Sequence, residues 1–348
     1  MFDIRTLFES IGAKVRSPIA IVLGSPKEAA FLASLCPQGK ITCFQLDLHQ
    51  SDRLSSELIS LGIQADVEVR ADLWDIAAHY QTVIMPIARH GERELKLDLL
   101  EQAFHILVDK GMIIALSEYR RDQLLPKAIK KIYGRCGEMP ASKAGGVFWG
   151  MKEGVRPRRK HELTFHARIG TGPSHSFLSK PGVFSYGEMD DGARALLETA
   201  IIKEGDAILD LGCGLGTNGV LASDRAGSAA PITFVDSNVR AIALAELNAS
   251  ANGLTNYKTI ATATMSGLAP QSFDLILANP PYFAVSAIAM QFIRGSQSLL
   301  RPHGRFYLVT KQVEHVAPLI VEQFGEVDVY DRRGYTVIEA QGAGNEQM

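Results

Sequence analysis

Only four cysteines, Cys36, Cys43, Cys136 and Cys213, are spread through 348 residues. They show no paired metal-ligand spacing and are too few for a disulfide framework, so no metal is expected and a reducing cytoplasm is the natural compartment. Long apolar runs are also missing. None would cross a bilayer, and no charged leader precedes an apolar core, which excludes a membrane partner as an expectation. Charge of one sign is lacking as well. Lys plus Arg number 36 and Asp plus Glu 38, a formal net charge of −2 and a pI near 6.5. That balance gives no broad basic face, so any nucleic-acid footprint must be local. Hydrophobic residues make up 46% of the chain, ordinary for globular cores, and its length makes two domains the natural expectation.

What is present is concentrated in the second half. The apolar run Ala207-Ile208-Leu209 leads into Asp210-Leu-Gly-Cys-Gly-Leu-Gly216, followed by the helix opening Thr217 to Ala222. This reads as strand, tight turn and helix. Gly212, Gly214 and Gly216 supply positive φ and allow close backbone approach to a ligand, with Asp210 ending the strand at the mouth of the sheet. The spacing lacks the Gly-x-x-Gly of a dinucleotide fingerprint. A second strand, Ile232 to Val235, ends in Asp236, where a carboxylate can accept both hydroxyls of a ribose. A glycine-rich turn alone would fit many α/β proteins; Asp236 favours a nucleoside ligand.

The apolar strand Phe273 to Ala278 is followed by Asn279-Pro280-Pro281-Tyr282. The two prolines remove backbone donors and fix φ, so carbonyls face a ligand without competing N–H groups. An amine conjugated to an aromatic ring is a poor nucleophile because its lone pair is delocalised. If the Asn279 side-chain oxygen and the Pro280 carbonyl accept its two N–H bonds, the lone pair can turn toward an electrophilic methyl group. Tyr282 can stack on the ring, a contact worth about 1–3 kcal/mol for nucleic-acid bases. The pair of motifs therefore implies methyl transfer from S-adenosylmethionine to a planar amine. A guanine, an adenine N6 and a glutamine side-chain amide all remain open at this point.

Residues 162–340 resemble the ribosomal RNA guanine-N2 methyltransferases of the small-subunit methyltransferase C and large-subunit methyltransferase G type. The resemblance rests on Lys180-Pro-Gly-Val-Phe-Ser185 with Asp190 and Gly192, the two motifs above, Phe292-Ile-Arg-Gly295 and Leu300-Arg-Pro-His-Gly304. It implies a class I S-adenosylmethionine-dependent methyltransferase with a seven-stranded sheet, acting on ribosomal RNA or a ribosomal subunit. Small-subunit (16S) RNA is the expected substrate. Adenine-N6 or protein glutamine-N5 transfer and a non-catalytic RNA-binding assembly factor are the alternatives. Phe184 and Asp190 fall to the cofactor-side wall, Asp236 and Ser237 to the ribose site, and Asn279 to Tyr282 to the base. Cys213, within the glycine turn, joins Asp210, Gly212, Gly214 and Gly216 as a cofactor residue, with Asn279 at its edge. Two features depart from the family. Tyr282 stands where Phe is frequent, and Thr259 to Thr264 offers no carboxylate for the adenine amine, leaving Thr264 or a backbone carbonyl.

The first half carries its own α/β pattern: Ile19 to Leu23 into Gly24, Ile41 to Phe44 toward Asp47, and Thr82 to Met85 into Pro86. Gly24 to Asp47 repeats the separation of Gly212 and Asp236, and Pro86 to Gly111 echoes Pro280 to Gly304, which points to an internal duplication. Leu23-Gly-Ser-Pro26 has no three-glycine cradle and Met85-Pro-Ile-Ala88 lacks the Asn and the aromatic plate. The predicted architecture is two tandem Rossmann-like methyltransferase domains: a degenerate one over 1–155 for folding support and RNA docking, a basic linker over 156–165, a catalytic one over 166–342 and a frayed tail over 343–348. Candidate RNA contacts are Arg89, Arg93, Arg120, Arg121 and the run 127–135, with the densest basic patch at Arg156, Arg158, Arg159 and Lys160. A solvated linker is the plain reading of that patch. Action as a monomer is expected.

Overall fold

The computed structural model describes residues 3–140, 142–280 and 287–342. The chain divides into two compact units, residues 1–161 and 162–348. The first contains α1 (Ile4–Glu9), β1 (Ile19–Val22), α2 (Pro26–Leu35), β2 (Ile41–Gln45), α3 (Leu48–Leu61), β3 (Asp66–Val69), β4 (Tyr80–Ile87), α4 (Arg93–Ile106), β5 (Leu107–Ser117), α5 (Leu124–Tyr133), β6 (Gly137–Glu138) and β7 (Gly146–Met151). The second opens with a hairpin, β8 (Leu163–Ala167) and β9 (His175–Ser179). It continues through α6 (Asp191–Thr199), β10 (Ile208–Leu211), α7 (Thr217–Ala226), β11 (Ile232–Asp236), α8 (Val239–Ala251), β12 (Tyr257–Ala261) and β13 (Phe273–Ala278). It closes with α9 (Ala287–Leu299), β14 (Leu300–Thr310), α10 (Val313–Phe324), β15 (Val327–Arg332) and β16 (Tyr335–Gln341).

Among the described residues each unit holds one seven-stranded sheet, ordered β3-β2-β1-β4-β5-β7-β6 and β12-β11-β10-β13-β14-β16-β15. β7 and β16 run antiparallel to their neighbours; the other pairings are parallel. Parallel strands covered on both faces read as continuous apolar runs, as β10 and β13 do. In the second sheet Ile208, Leu275, Leu277 and Tyr307 pack to one face, and Leu209, Ile276, Phe306 and Leu308 to the other. The chain reverses its winding between β10 and β13, opening a crevice at their carboxyl ends where α/β sheets take ligands.

The duplication is visible residue by residue. Lys110 and His303 both adopt φ of 61°, each followed by a glycine at the same place in β5 and β14. A Cβ on Gly111 would lie 3.1 Å from the Tyr80 carbonyl oxygen, and one on Gly304 3.0 Å from that of Phe273. Register alters the expected pairing of residues between copies. Ile19 pairs with Ile41 and Ile208 with Ile232, so Gln45 occupies the position of Asp236, while Asp47 caps α3 as Asn238 caps α8. Likewise Pro86 corresponds to Asn279 and not to Pro280. The Gln45 offset comes from a shorter first turn, Leu23 to Ser25 against Gly212 to Gly216; the Pro86 match follows from strand register alone.

The segment expected as a linker, 156–165, is exposed over 156–160 but makes contacts along its length. Arg156 donates to the Lys131 and Ile132 carbonyls at the end of α5, and Arg158 lies over the Trp74 ring at 4.6 Å. Residues 163–165 already belong to β8. The expected tail, 343–348, lies outside the described residues.

Candidate active site

The glycine turn joins β10 to α7. The N–H groups of Gly212 and Cys213 both donate to the Val235 carbonyl, at 2.8 and 2.9 Å, tying the turn to the neighbouring strand. Gly212, Gly214 and Gly216 have φ of 70°, 54° and 85°. The last is closed by packing, since a Cβ there would lie 3.1 Å from the Cα of Ala245 in α8. Gly214 differs. A Cβ on it would meet only Val183 Cγ1, at 4.0 Å, so this part of the turn is backbone facing open space.

Asp236, at the end of β11, completes the turn. One carboxylate oxygen accepts from Gly214 N and the other from Asn238 N, both at 2.9 Å. These two bonds, one on each oxygen, fix the plane of the carboxylate against the turn. Asp210 is fully buried. Its oxygens accept from Gly219 N at 2.8 Å and Asn218 Nδ2 at 3.4 Å, directing the carboxyl into the base of α7. Burial pushes this carboxyl up to about 7, with the hydrogen bonds from Gly219 and Asn218 opposing the rise. Asp210, expected among the cofactor-holding residues, is enclosed, and its hydrogen bonds go to the start of α7. Cys213 is also buried, and that burial holds its thiol well above the ordinary range.

Above the turn lies the segment 180–185. Asn238 caps α8 by accepting from the Arg240 and Ala241 N–H groups at 2.9 and 3.3 Å, and its Nδ2 donates to the Gly182 carbonyl at 2.8 Å. Arg240, only 1% exposed, donates to the Pro181 carbonyl. Further along α8, Asn248 and Asn252 stand in for a neighbouring strand. Each accepts from and donates to the backbone of β9, at Leu178 and Ser176 respectively, and Asn248 also donates to the Leu215 carbonyl at 2.9 Å. One helix thus fixes the hairpin, the 180–185 segment and the glycine turn together. Phe184 is left 49% exposed beside them.

Asn279 follows β13 at the carboxyl edge of the sheet. Its Nδ2 donates to Oδ2 of Asp190 at 2.9 Å, and the same oxygen accepts from Ala193 N at 2.9 Å as the N-cap of α6.

Residues 174–339 match the family described as methyltransferase small domain. The uncharacterized protein YbxB of Bacillus subtilis is 36% identical over 174 residues, which are 48% of this chain and 85% of that one. The chain belongs to the methyltransferase small-domain family. The ribosomal RNA small subunit methyltransferase C of Vibrio parahaemolyticus is 26% identical across 82% of this chain and 80% of its own length. Its counterpart in Chromohalobacter salexigens is 33% identical over 173 residues, and there the chain spans about half of the relative's length. Among solved structures, a T. thermophilus 16S rRNA N2 methyltransferase in complex with AdoMet and guanosine superposes with a TM-score of 0.75 over 97% of this chain and 92% of its own. At 21% identity it shows the tandem fold.

Within this small-domain methyltransferase, Gly212, Cys213, Gly214, Gly216, Asp236 and Ser237 gather at the ends of β10 and β11, and Asn279 with Asp190 at the end of β13. Thr264 is exposed. It lines an open cleft of about 640 Å³ with Met265, Leu268, Met290 and Gln291, and the Thr262 N–H donates to the Asp236 carbonyl at 3.0 Å. Pro280 is buried, while Pro281 and Tyr282 lie outside the described residues. No group of three metal-ligating side chains and no helix long and apolar enough to cross a membrane occurs among the described residues. Sequence reasoning missed Asn238 and Arg240. Asn238 had a usable signal, an Asn immediately before a helical pattern; a buried arginine has none.

Proposed function

We propose that the protein transfers a methyl group from S-adenosylmethionine to the exocyclic N2 of a guanine in ribosomal RNA, with the small-subunit RNA as substrate. The observation that carries this reading is the arrangement at the carboxyl ends of β10, β11 and β13. An open Gly214, the carboxylate of Asp236 and the amide of Asn279 stand there in a chain related along 82% of its length to a small-subunit RNA methyltransferase.

The residues present fit the cofactor. The bare backbone at Gly214 leaves room that a side chain would fill, and the Asp236 carboxylate, an acceptor suited to ribose hydroxyls, is held beside it by Gly214 N. When bound, S-adenosylmethionine supplies a methyl group already activated by its sulfonium. The protein's own task is positioning, which can contribute about 7–11 kcal/mol. The Asn279 side-chain oxygen and the Pro280 carbonyl accept the two N–H bonds of the base amine, turning its lone pair out of conjugation. Tyr282 provides the stacking surface. Methylation makes the nitrogen acidic, so water suffices to take the proton and no permanent general base is needed.

A base paired within a helix cannot reach such a pocket, so the target guanine is unpaired or flipped out. Action as a monomer in the cytoplasm, where ribosomal RNA is the substrate, completes the proposal. Arg156, Arg158, Arg159 and Lys160 are the RNA-contact candidates, and all four are exposed. Nucleoside mass spectrometry of ribosomal RNA from cells lacking and restored for the gene tests the reading. Loss and return of one N2-methylguanosine is expected; an unchanged N2-methylguanosine content, or loss of N6-methyladenosine instead, would overturn it. Asn279→Ala should abolish turnover while cofactor binding persists.

A further inference from the structure

We infer that Asp190 is a positioning residue that sets which end of the Asn279 amide faces the substrate. This rests on the methyl-transfer reading above and moves Asp190 from the cofactor wall, where family resemblance put it, to the base side. An ionised carboxylate only accepts hydrogen bonds. With Asp190 Oδ2 at 2.9 Å, the Asn279 atom facing it must therefore be the NH2 group. The opposite end of the planar amide is then Oδ1, the acceptor that an incoming amine requires. The reversed amide would aim two donors at a donor and leave the amine proton unmatched.

Two elements separated by 89 residues make this contact, so neither motif discloses it. Asp190 is itself held, because the same Oδ2 caps α6 through Ala193 N at 2.9 Å. The helix start thus fixes the carboxylate, and the carboxylate fixes the amide. Restricting rotation of a group that must meet a nucleophile is a positioning effect, and small misplacements can cost about 100-fold in rate.

Three substitutions separate this role from capping and from cofactor contact. Serine is as good an N-cap as aspartate but too short to span to Asn279, whereas asparagine can place its oxygen where Oδ2 lies and keep both bonds. Asp190→Ser should lower kcat by about 10- to 100-fold, with the cofactor Kd within twofold of the parent and thermal stability little changed. Asp190→Asn should stay within about threefold of the parent in kcat. Asp190→Ala should lose both kcat and stability. A Ser variant as active as the parent would leave only the cap, and a cofactor Kd weakened in step with kcat would return Asp190 to the cofactor wall. A second measurement needs no substrate. In protein labelled with 15N-asparagine, the Asn279 side-chain NH2 signal, assigned by its loss in Asn279→Ala, should show a slowly exchanging proton in the parent and Asp190→Asn but not in Asp190→Ser. Unchanged exchange in the Ser variant would overturn the inference. If instead exchange behaves as expected while ribosomal RNA is not methylated, the guanine reading fails and the positioning contact stands.

Discussion

Replacing Gly214 by alanine separates the turn as a piece of the fold from the turn as a ligand cradle. Two terms act on stability. An alanine at φ of 54° takes on the left-handed penalty of about 1–2 kcal/mol. Packing adds little, because the new Cβ would meet only Val183 Cγ1, at 4.0 Å. For a unit of roughly 190 residues the entropy of unfolding is about 0.4 kcal/mol/K, so the melting temperature should fall by only about 3–5 °C. The same methyl would project where the cofactor backbone approaches. Forcing a methyl into a packed contact costs about 1–3 kcal/mol, which is about 5- to 150-fold in Kd. Gly216→Ala is the mirror case: its Cβ meets Ala245 Cα at 3.1 Å, so the left-handed and overpacking costs combine to about 2–5 kcal/mol of stability, about 5–12 °C. Calorimetric titration with S-adenosylmethionine and thermal unfolding on both variants make the comparison. A Gly214→Ala protein that binds cofactor like the parent, or melts lower than Gly216→Ala, would refute the assignment of Gly214 to the ligand face.

The buried pair of Arg305 and Asp206 makes two bonds of 2.7 and 2.8 Å with both side chains under 10% exposed, so Asp206→Ala should destabilise the second unit by about 3–5 kcal/mol, read as a drop of about 7–12 °C. Removing Glu68 from its pair with Arg70, whose side chains are 38% and 37% exposed, should change stability by no more than about 1 kcal/mol. Because burial lifts the Asp210 carboxyl to about 7, the folded chain holds that proton more tightly than the unfolded chain, near 3.9. Stability from this group is therefore fully present below about pH 4 and is lost as pH rises to about 7. Asp210→Asn should remove that slope in denaturant unfolding between pH 4 and 7; an identical slope in the variant would contradict it. Arg159→Glu with Lys160→Glu should weaken RNA binding and lower its salt slope by about 2, and a slope unchanged in filter binding would exclude both residues from the interface.

The strand, turn and helix around Gly212 to Gly216 were legible because glycine spacing and apolar runs are local signals, and the chain forms β10, the turn and α7 there. The duplication was legible too, but its register was not. Counting from Gly24 reached Asp47, when the register places Gln45 opposite Asp236's position, because the first copy's turn is shorter and separation measured from the glycine runs past the true match. Contacts that cross long stretches of chain stayed hidden. Arg240 to Pro181, Asn248 to Leu178 and Asn279 to Asp190 join residues 59, 70 and 89 positions apart, and nothing in a local window distinguishes these side chains from others of their type. The basic patch is exposed along 156–160, as its charge suggests, but the contacts of Arg156 with the end of α5 and of Arg158 with Trp74 carry no local signal.

The short turn of the first unit has a consequence for stoichiometry. A Cβ on Gly24 would sit 2.4 Å from the Pro86 ring, so the crevice between β1 and β4 is occupied by the protein's own proline, and Gln45 turns its amide to the Gly24 carbonyl at 3.3 Å. Reopening it would require a longer turn, loss of the proline and a new carboxylate together. No single substitution makes a half-working site, which leaves the first sheet as a matched reference inside the same molecule. Cofactor titrations should saturate at one equivalent per chain despite two sheets of identical strand order.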